Sequence, residues 1–258
     1  MVELLQQQFV FPEVTGQKVL VLGLGGGCDI ITAYAVSRLL DVAHAKGVIY
    51  GNTKKEDDGH LERVTEHIRR FSGPAVALGS GRTHGTTRID QSVPRGDDGC
   101  PFVFLLSSKG AEEMLPGEIQ QLGFDRLIGV DTGGDSLAGR EGGRDRRMLR
   151  VLQRTGLPLL HIVIAPGSDG ESSYKKMNCA LGSALDGGRY RGCFSLVPVL
   201  ETIRSLSGAL TPGRTPRIIL AAADGQLPGD GGRVIVPRGC KPAVPLEWLT
   251  HGFAFALA

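Results

Sequence analysis

"RLIGVDTGGDSL", residues 126–137, runs an aliphatic stretch straight into paired glycines, two carboxylates and a hydroxyl. The apolar part reads as a short buried strand, and Asp135-Ser136 as the start of a helix. Two more stretches repeat the plan: "KVLVLGLGGGCD" (18–29) and "PLLHIVIAPGSDGES" (158–172). Strands that turn through glycines into helices are the units of an α/β fold around a mostly parallel sheet. The pattern therefore predicts an α/β architecture with helices on both faces of the sheet.

Working outward, "KVLVLGL" (18–24) is the first strand and 29–47 the helix after it. "GVIYG" (47–51), "AVALGS" (75–80) and "FVFLLSS" (102–108) read as further strands. "GAEEMLPGEIQQLG" reads as a helix that Pro116 could break, and 144–156 as one with Met148, Leu149, Val151 and Leu152 on its buried side. "PLLHIVIAPG" (158–167) is a strand, with helices expected over 171–188 and 195–210. "RIILAAA" (217–223), "RVIVPRG" (233–239) and "WLTHGFAFAL" (248–257) close the chain; the last is apolar enough to cover a sheet edge or a partner. Residues 52–74 read as a polar loop and helix, and 81–100, full of turn signals, as a flexible insertion in one domain spanning 1–258.

With 258 residues, 41% of them hydrophobic, the chain can bury a sizeable core. A formal charge of +2 with dispersed basic residues argues against nucleic acid or an anionic membrane as partner. The short cluster "RDRRMLR" (144–150) reads as a solvated helix face. No secretory signal opens the sequence, and no apolar segment nears the roughly eighteen residues a membrane span needs. Cys28, Cys100, Cys179, Cys193 and Cys240 form an odd, scattered set without a CxxC pair, which suits neither a disulfide framework nor zinc and fits a reducing cytoplasm. At 5% aromatic residues, base-stacking platforms are not expected.

Ligands of parallel sheets bind at the carboxyl ends of the strands. The three glycine loops meet that edge with Gly25, Gly26 and Gly27, with Gly133 and Gly134, and with Gly167, each a place where backbone amides can approach a ligand closely. The same loops carry Asp29, Asp131, Asp135, Asp169 and Glu171, with the hydroxyls of Ser136 and Ser168. Capping is the ordinary work of such residues. "SDGE" (168–171) matches a capping box, and Asp29 and Asp135 suit caps as well as they suit a site. Asp131, at a strand end ahead of two glycines, reads as functional.

If these acids converge, their repulsion demands a divalent cation, a ligand rich in amines or hydroxyls, or a carboxyl that keeps its proton. Oxygen ligands suit Mg²⁺ or Mn²⁺, for which Asp131 and Asp135 are the candidate metal ligands and catalytic groups. NAD is not expected: the first loop carries Cys28 where a dinucleotide fingerprint has its third glycine, and "GNT" (51–53) stands where the ribose-binding acid belongs. There is no phosphate-binding G-x-x-x-x-G-K-[ST] and no G-x-S-x-G nucleophile elbow. His161, inside an apolar strand, reads as a buried hydrogen-bonded histidine. Cys28 reads as a small buried thiol, His84 sits in a loop that could reach the same edge, and Ser107-Ser108-Lys109, where a lysine could meet a phosphate, read first as a solvated loop.

The pieces "LGGGCDIITA" (24–33), "GVDTGGDSL" (129–137), "RDRRMLRVL" (144–152) and "APGSDGE" (165–171) resemble, in register, the family called domain of unknown function 1152. The resemblance implies a Rossmann-like α/β fold in soluble intracellular proteins, and supplies no activity.

Three functions remain in view. The first is a hydrolase or transferase acting on a nucleotide or sugar phosphate with a divalent metal. The second is a metal-free enzyme or binder for a hydroxyl- or amine-rich small molecule, and the third a non-catalytic interaction protein. A homo-oligomer is compatible with each.

Overall fold

The computed structural model describes residues 7–25, 27–40, 45–54, 62–70, 102–106, 110–208, 210 and 212–257. It is an α/β fold built on one nine-stranded mixed sheet, with a small three-stranded sheet beside it. The large sheet contains β1 (Lys18–Gly23), β2 (Gly47–Lys54), β3 (Glu62–Arg63), β4 (Ile68–Arg70), β5 (Phe102–Leu105), β6 (Arg126–Thr132), β7 (Leu159–Ile164), β8 (Tyr190–Ser195) and β12 (His251–Ala256). The small one contains β9 (Gly229–Asp230), β10 (Arg233–Ile235) and β11 (Ala243–Pro245). The helices are α1 (Asp29–Ser37), α2 (Ala111–Gln121), α3 (Asp135–Ala138), α4 (Arg144–Gln153), α5 (Tyr174–Asp186), α6 (Leu200–Ser207), α7 (Thr215–Ala223) and α8 (Leu246–Thr250).

Strand order across the large sheet is β3-β4-β5-β2-β1-β6-β7-β12-β8. The run β5-β2-β1-β6-β7 is parallel throughout. Along it the chain moves outward from β1 to β2 to β5, then returns to lay β6 on the other side of β1. The order thus reverses between β1 and β6, and in open α/β sheets ligands bind beyond the carboxyl ends of the strands at such a reversal.

β1 shows why the central strands read as unbroken apolar runs. Val19 and Val21 pack with Ile30, Ile31, Met177, Leu181, Ile218 and Trp248 on one face. Leu20 and Leu22 pack with Phe104, Leu115, Ile119, Met148 and Leu152 on the other. A strand covered on both faces has no solvent side to mark with polar residues.

Several expectations are corrected. Residues 62–70 form the β3–β4 hairpin, not a helix: Val64 N–H bonds to Ile68 O at 3.0 Å, and Thr65 Oγ1 accepts from Ile68 N–H at 3.0 Å. The hairpin is pinned to α2, where Glu118 accepts from the Thr65 hydroxyl, from His67 N–H (3.1 Å) and from His67 Nδ1 (2.8 Å). Pro116 does not break α2. The carbonyl its missing N–H leaves free, Glu112 O, accepts from Arg154 Nη1 at 2.9 Å instead. α1 stops at Ser37, whose hydroxyl bonds back to Tyr34 O at 2.6 Å, well short of residue 47.

The closing segment does not cover a sheet edge. β12 lies between β7 and β8, antiparallel to both, and residues 217–223 belong to a helix. No helix among the described residues is long and apolar enough to cross a membrane. The strand expected at 75–80, the insertion at 81–100, Gly26, His84, Cys100 and Ser107 to Lys109 lie outside the described residues.

Candidate functional site

The loops after β1, β6 and β7 meet at the reversal point. Leu24 N–H bonds to Val130 O at 2.9 Å, Gly133 N–H to Ile164 O at 2.9 Å and Gly167 N–H to Gly133 O at 2.7 Å. These bonds carry the sheet pairing past the strand ends, so the three loops form one rigid rim. Gly133 and Gly167 adopt φ of +112° and +85°, a region that costs a residue with Cβ of the order of 1–3 kcal/mol.

Asp29, the first residue of α1, folds its carboxylate back to accept from Gly25 N–H at 2.7 Å and from the Thr132 hydroxyl. Neither Asp29 nor Asp135 takes the N-cap position of its helix, which Cys28 and Gly134 occupy. A Cβ on Gly25 would lie 2.7 Å from Asp29 Oδ2 and closer still to Asp145 Oδ2, so only glycine leaves these two carboxylates room to face each other.

Asp131, the penultimate residue of β6, is fully buried. Its carboxylate accepts from Ser136 N–H (2.7 Å), Gly134 N–H (3.3 Å) and the Ser136 hydroxyl. Ser136 Oγ in turn lies 2.7 Å from His161 Nε2, and His161 packs its ring 5.6 Å from that of Phe255. Burial, with Arg189 adding to it, pushes the His161 imidazole down to about 3, so it is neutral at ordinary pH. His161 is thus the hydrogen-bonded core histidine its strand position suggested, and Ser136 is the joint between it and Asp131.

Asp145, in the first turn of α4, is the residue the sequence reading passed over. Oxygens of Asp29, Asp131 and Asp145 all lie within 4.8 Å of one another. The "RDRRMLR" cluster is therefore not a solvated face at its amino end. Arg146 donates to Leu137 O (2.6 Å) and Ser136 O (3.2 Å), and Arg147 pairs with Glu112 and donates to Leu106 O (3.1 Å). Its signal in the sequence was "GGRD" (142–145): a glycine pair that lets α4 begin at the rim with an acid in its first turn.

Asp135, proposed from sequence as a metal ligand, stands outside that trio. It neighbours Asp169 and Glu171, and burial and then those two acids with Asp131 push its carboxyl up to about 8. Asp169 lies against Gly133, where a Cβ would strike its side chain, and its Oδ1 accepts from Glu171 N–H at 2.9 Å. The capping box expected at 168–171 is absent, because α5 begins later, with Ser173 accepting from Lys176 N–H at 3.3 Å. Ser168 is fully buried instead, and its Oγ has no hydrogen-bond partner among the described residues. Gly170 packs backbone to backbone on Arg238 and Gly239, docking the small sheet onto this rim.

Burial raises the carboxyls of Asp29 to about 8 and of Asp169 to about 7, and those of Asp131 and Asp145 upward, with neighbouring acids adding to the rise at Asp29, Asp145 and Asp169. Arg144 opposes the rise at Asp29 and Asp145, and Arg238 at Asp169. Cys28, just before α1, is pushed by burial up to about 11 and is an unreactive thiol.

Two carboxylates 4.8 Å apart repel by about 3 kcal/mol at an effective dielectric near 20. Three ionised together would be opposed by several times that. The arrangement can therefore share protons, hold a cation, or take up the donors of a ligand.

No curated protein and no solved structure matches the chain. Residues 20–227, which carry every loop of this rim, match the family described as "Protein of unknown function (DUF1152)", and the chain belongs to that family.

Proposed function

We propose that this protein is a hydrolase or transferase acting on a nucleotide or another phosphorylated metabolite through a divalent cation, Mg²⁺ or Mn²⁺. The observation that carries the reading is the trio Asp29, Asp131 and Asp145, with oxygens within 4.8 Å of one another at the point where the strand order reverses. Hard oxygen ligands in a tight group suit Mg²⁺ or Mn²⁺, and a cation that keeps open positions can bridge to phosphate. The unpartnered Ser168 hydroxyl, fully buried in the rim, is a second and independent sign of a group to be bound there.

In this reading Asp131 is the fixed ligand, held by the amides of the turn that follows it. Asp29 and Asp145 complete the cation's protein ligands. Asp135 has the pKa for proton transfer near neutrality and is the candidate general acid or base. The Gly25, Gly133, Gly134 and Gly167 amides are spent holding the rim and its carboxylates in place, so Arg144 and Arg238 are the groups that would meet phosphate oxygens. The order β5-β2-β1-β6-β7 supports the Rossmann-like reading of the fold. NAD is not the ligand expected, since Asn52, and not an acid, pairs with Gly23 where β1 runs into the first loop. Free thiols at Cys28, Cys179, Cys193 and Cys240 suit the cytoplasm.

The test is a thermal-shift and calorimetric screen of nucleotides and sugar phosphates with and without Mg²⁺ or Mn²⁺. Ligand stabilisation that needs the metal, and that Asp145→Asn removes, is the expected result. The raised carboxyls favour one other reading, a metal-free site that binds amines or hydroxyls through protonated acids. Ligand shifts indifferent to EDTA would replace the first reading with that one.

A further inference from the structure

His161 is the polar residue in an otherwise aliphatic strand, "LLHIVI" in β7, and it is almost completely buried. Burying an imidazole costs free energy that a leucine there would not, so its polar contact, Nε2 to Ser136 Oγ at 2.7 Å, calls for a reason. Proton transfer is not that reason. An imidazole pushed down to about 3 is too weak a base to draw a proton from the rim.

Counting hydrogens along the contacts supplies another. Asp131 Oδ2 accepts from Ser136 N–H at 2.7 Å and from the Ser136 hydroxyl, whereas Oδ1 has the longer bond from Gly134 N–H, at 3.3 Å. A carboxylate oxygen offers about two lone pairs, so two close donors use up Oδ2 and leave Oδ1 the freer to meet a cation. Ser136 has a single hydroxyl hydrogen. When it is spent on Asp131, the contact with His161 is a hydrogen bond only if Nε2 carries the ring's hydrogen and donates it. When Nε2 is bare, the hydroxyl must turn to the imidazole, and its oxygen is left with lone pairs against the carboxylate. A ligating carboxylate brings no hydrogen of its own, so the ring's tautomer decides which way the hydroxyl points.

We propose that His161 is a positioning residue for the cation site: as the Nε2–H tautomer it fixes the Ser136 hydroxyl on Asp131 Oδ2, so that Asp131 meets the cation through Oδ1. The proposal rests on the metal reading of the same rim. Hydrogen-bond partners standing behind a metal ligand typically change metal affinity by about 10–100-fold.

The experiment joins a spectrum to a cycle of variants. Nitrogen NMR of the histidine rings in the Mg²⁺-loaded chain reports which ring nitrogen carries hydrogen, with His161 identified by the signals that His161→Gln removes. A protonated Nε2 and a bare Nδ1 are expected. Mn²⁺ affinity is then measured by calorimetry in the wild type, His161→Leu, His161→Gln, Ser136→Ala and the Ser136→Ala, His161→Leu double variant. His161→Leu should weaken Mn²⁺ binding at least about tenfold. His161→Gln, whose amide can donate from nearly the same point, should recover most of that loss. In the Ser136→Ala background the further change to leucine should have little effect, because the hydroxyl it acts on is gone. An Nδ1–H ring in the Mg²⁺-loaded wild type overturns the proposal, and decides the matter even where His161→Leu fails to fold. Wild-type affinity in His161→Leu, or equal losses with and without the Ser136 hydroxyl, overturn it too. A wild type that takes up no Mn²⁺ overturns the metal reading and this proposal with it, whereas Mn²⁺ uptake together with any of those contrary results overturns this proposal alone.

Discussion

At Asp131 a structural duty meets the proposed ligand role in one carboxylate. It accepts from the amide and hydroxyl of Ser136, and through that hydroxyl it is tied to His161. Asp131→Ala should therefore do more than empty a ligand position. It strands buried donors, at a cost of about 2 kcal/mol, seen as a lower midpoint in urea denaturation. Asp145 carries no such burden, so Asp145→Asn is the cleaner probe. In metal-free protein at pH 8 it should raise Tm by roughly 2–4 °C by removing one repelling charge, while weakening Mn²⁺ binding at least about tenfold. A lower Tm in that variant would contradict the crowding inferred for the trio. The pH dependence has the same origin. Carboxyls that are raised in the fold hold protons which the unfolded chain has already released, so stability falls as pH rises. For the metal-free protein the decline should begin near pH 4, where the unfolded chain's carboxyls ionise, and end near 8, where Asp29 and Asp135 do so in the fold. Thermal melts from pH 4 to 9 check it, and added Mn²⁺ should flatten the curve.

Among the elements, what the sequence made legible was whatever depends on local pattern. A strand buried on both faces is a plain apolar run, so β1, β6 and β7 could be read, and with them the loops that bring Asp29, Asp131 and Asp169 to one rim. Asp145 was hidden because α4 is rich in arginine over an apolar stripe, and a first-turn acid in such a helix looks solvated. Its real setting depends on where Gly142 and Gly143 aim the helix, a tertiary matter. Ser168 and Glu171 spelled a capping box, but the chain there is held by Gly167 N–H on Gly133 O and never turns helical at that point. The hairpin at 62–70 was missed because its partner, Phe102–Leu105, is distant in sequence. The rim predicts a glycine effect: Gly133→Ala, at φ +112° and against Asp169, should cost about 2 kcal/mol or more and lower ligand affinity together with Tm. A variant as stable as the wild type would show that the loop tolerates Cβ there. The hairpin predicts a further pH effect. Burial works against ionisation of Glu118, but its bonds from Thr65 and His67 prevail and hold the carboxyl below its usual range. That contribution is present above the unfolded pKa and is lost as pH falls through the lowered one. Amide exchange at Ile68 should accelerate in acid before the central strands respond.

At the scale of the whole molecule, the nine-stranded sheet has one edge at β8, and residues 7–11 lie along it. Phe9 N–H bonds to Cys193 O at 2.7 Å and Cys193 N–H to Gln7 O at 2.8 Å, while Phe9 and Phe11 pack on Phe194. An uncovered edge invites pairing with another copy. Removing residues up to Phe11 should therefore produce concentration-dependent self-association in light scattering, with the distant pocket still binding its ligand. Insertion of β12 between β7 and β8 explains why the closing segment is so apolar: it is an interior strand. It also gives β7 a neighbour on its far side, so the loop at 165–170 leaves from the sheet's interior. The whole arrangement serves to gather acids from α1, β6 and α4 at one point. An anomalous difference map from crystals of the protein soaked in Mn²⁺ tests that most directly. One peak in contact with Asp29, Asp131 and Asp145 together is the result expected, at the roughly 2.0–2.3 Å usual for hard cations. A map with no density among the three, or with manganese bound only elsewhere, would contradict it.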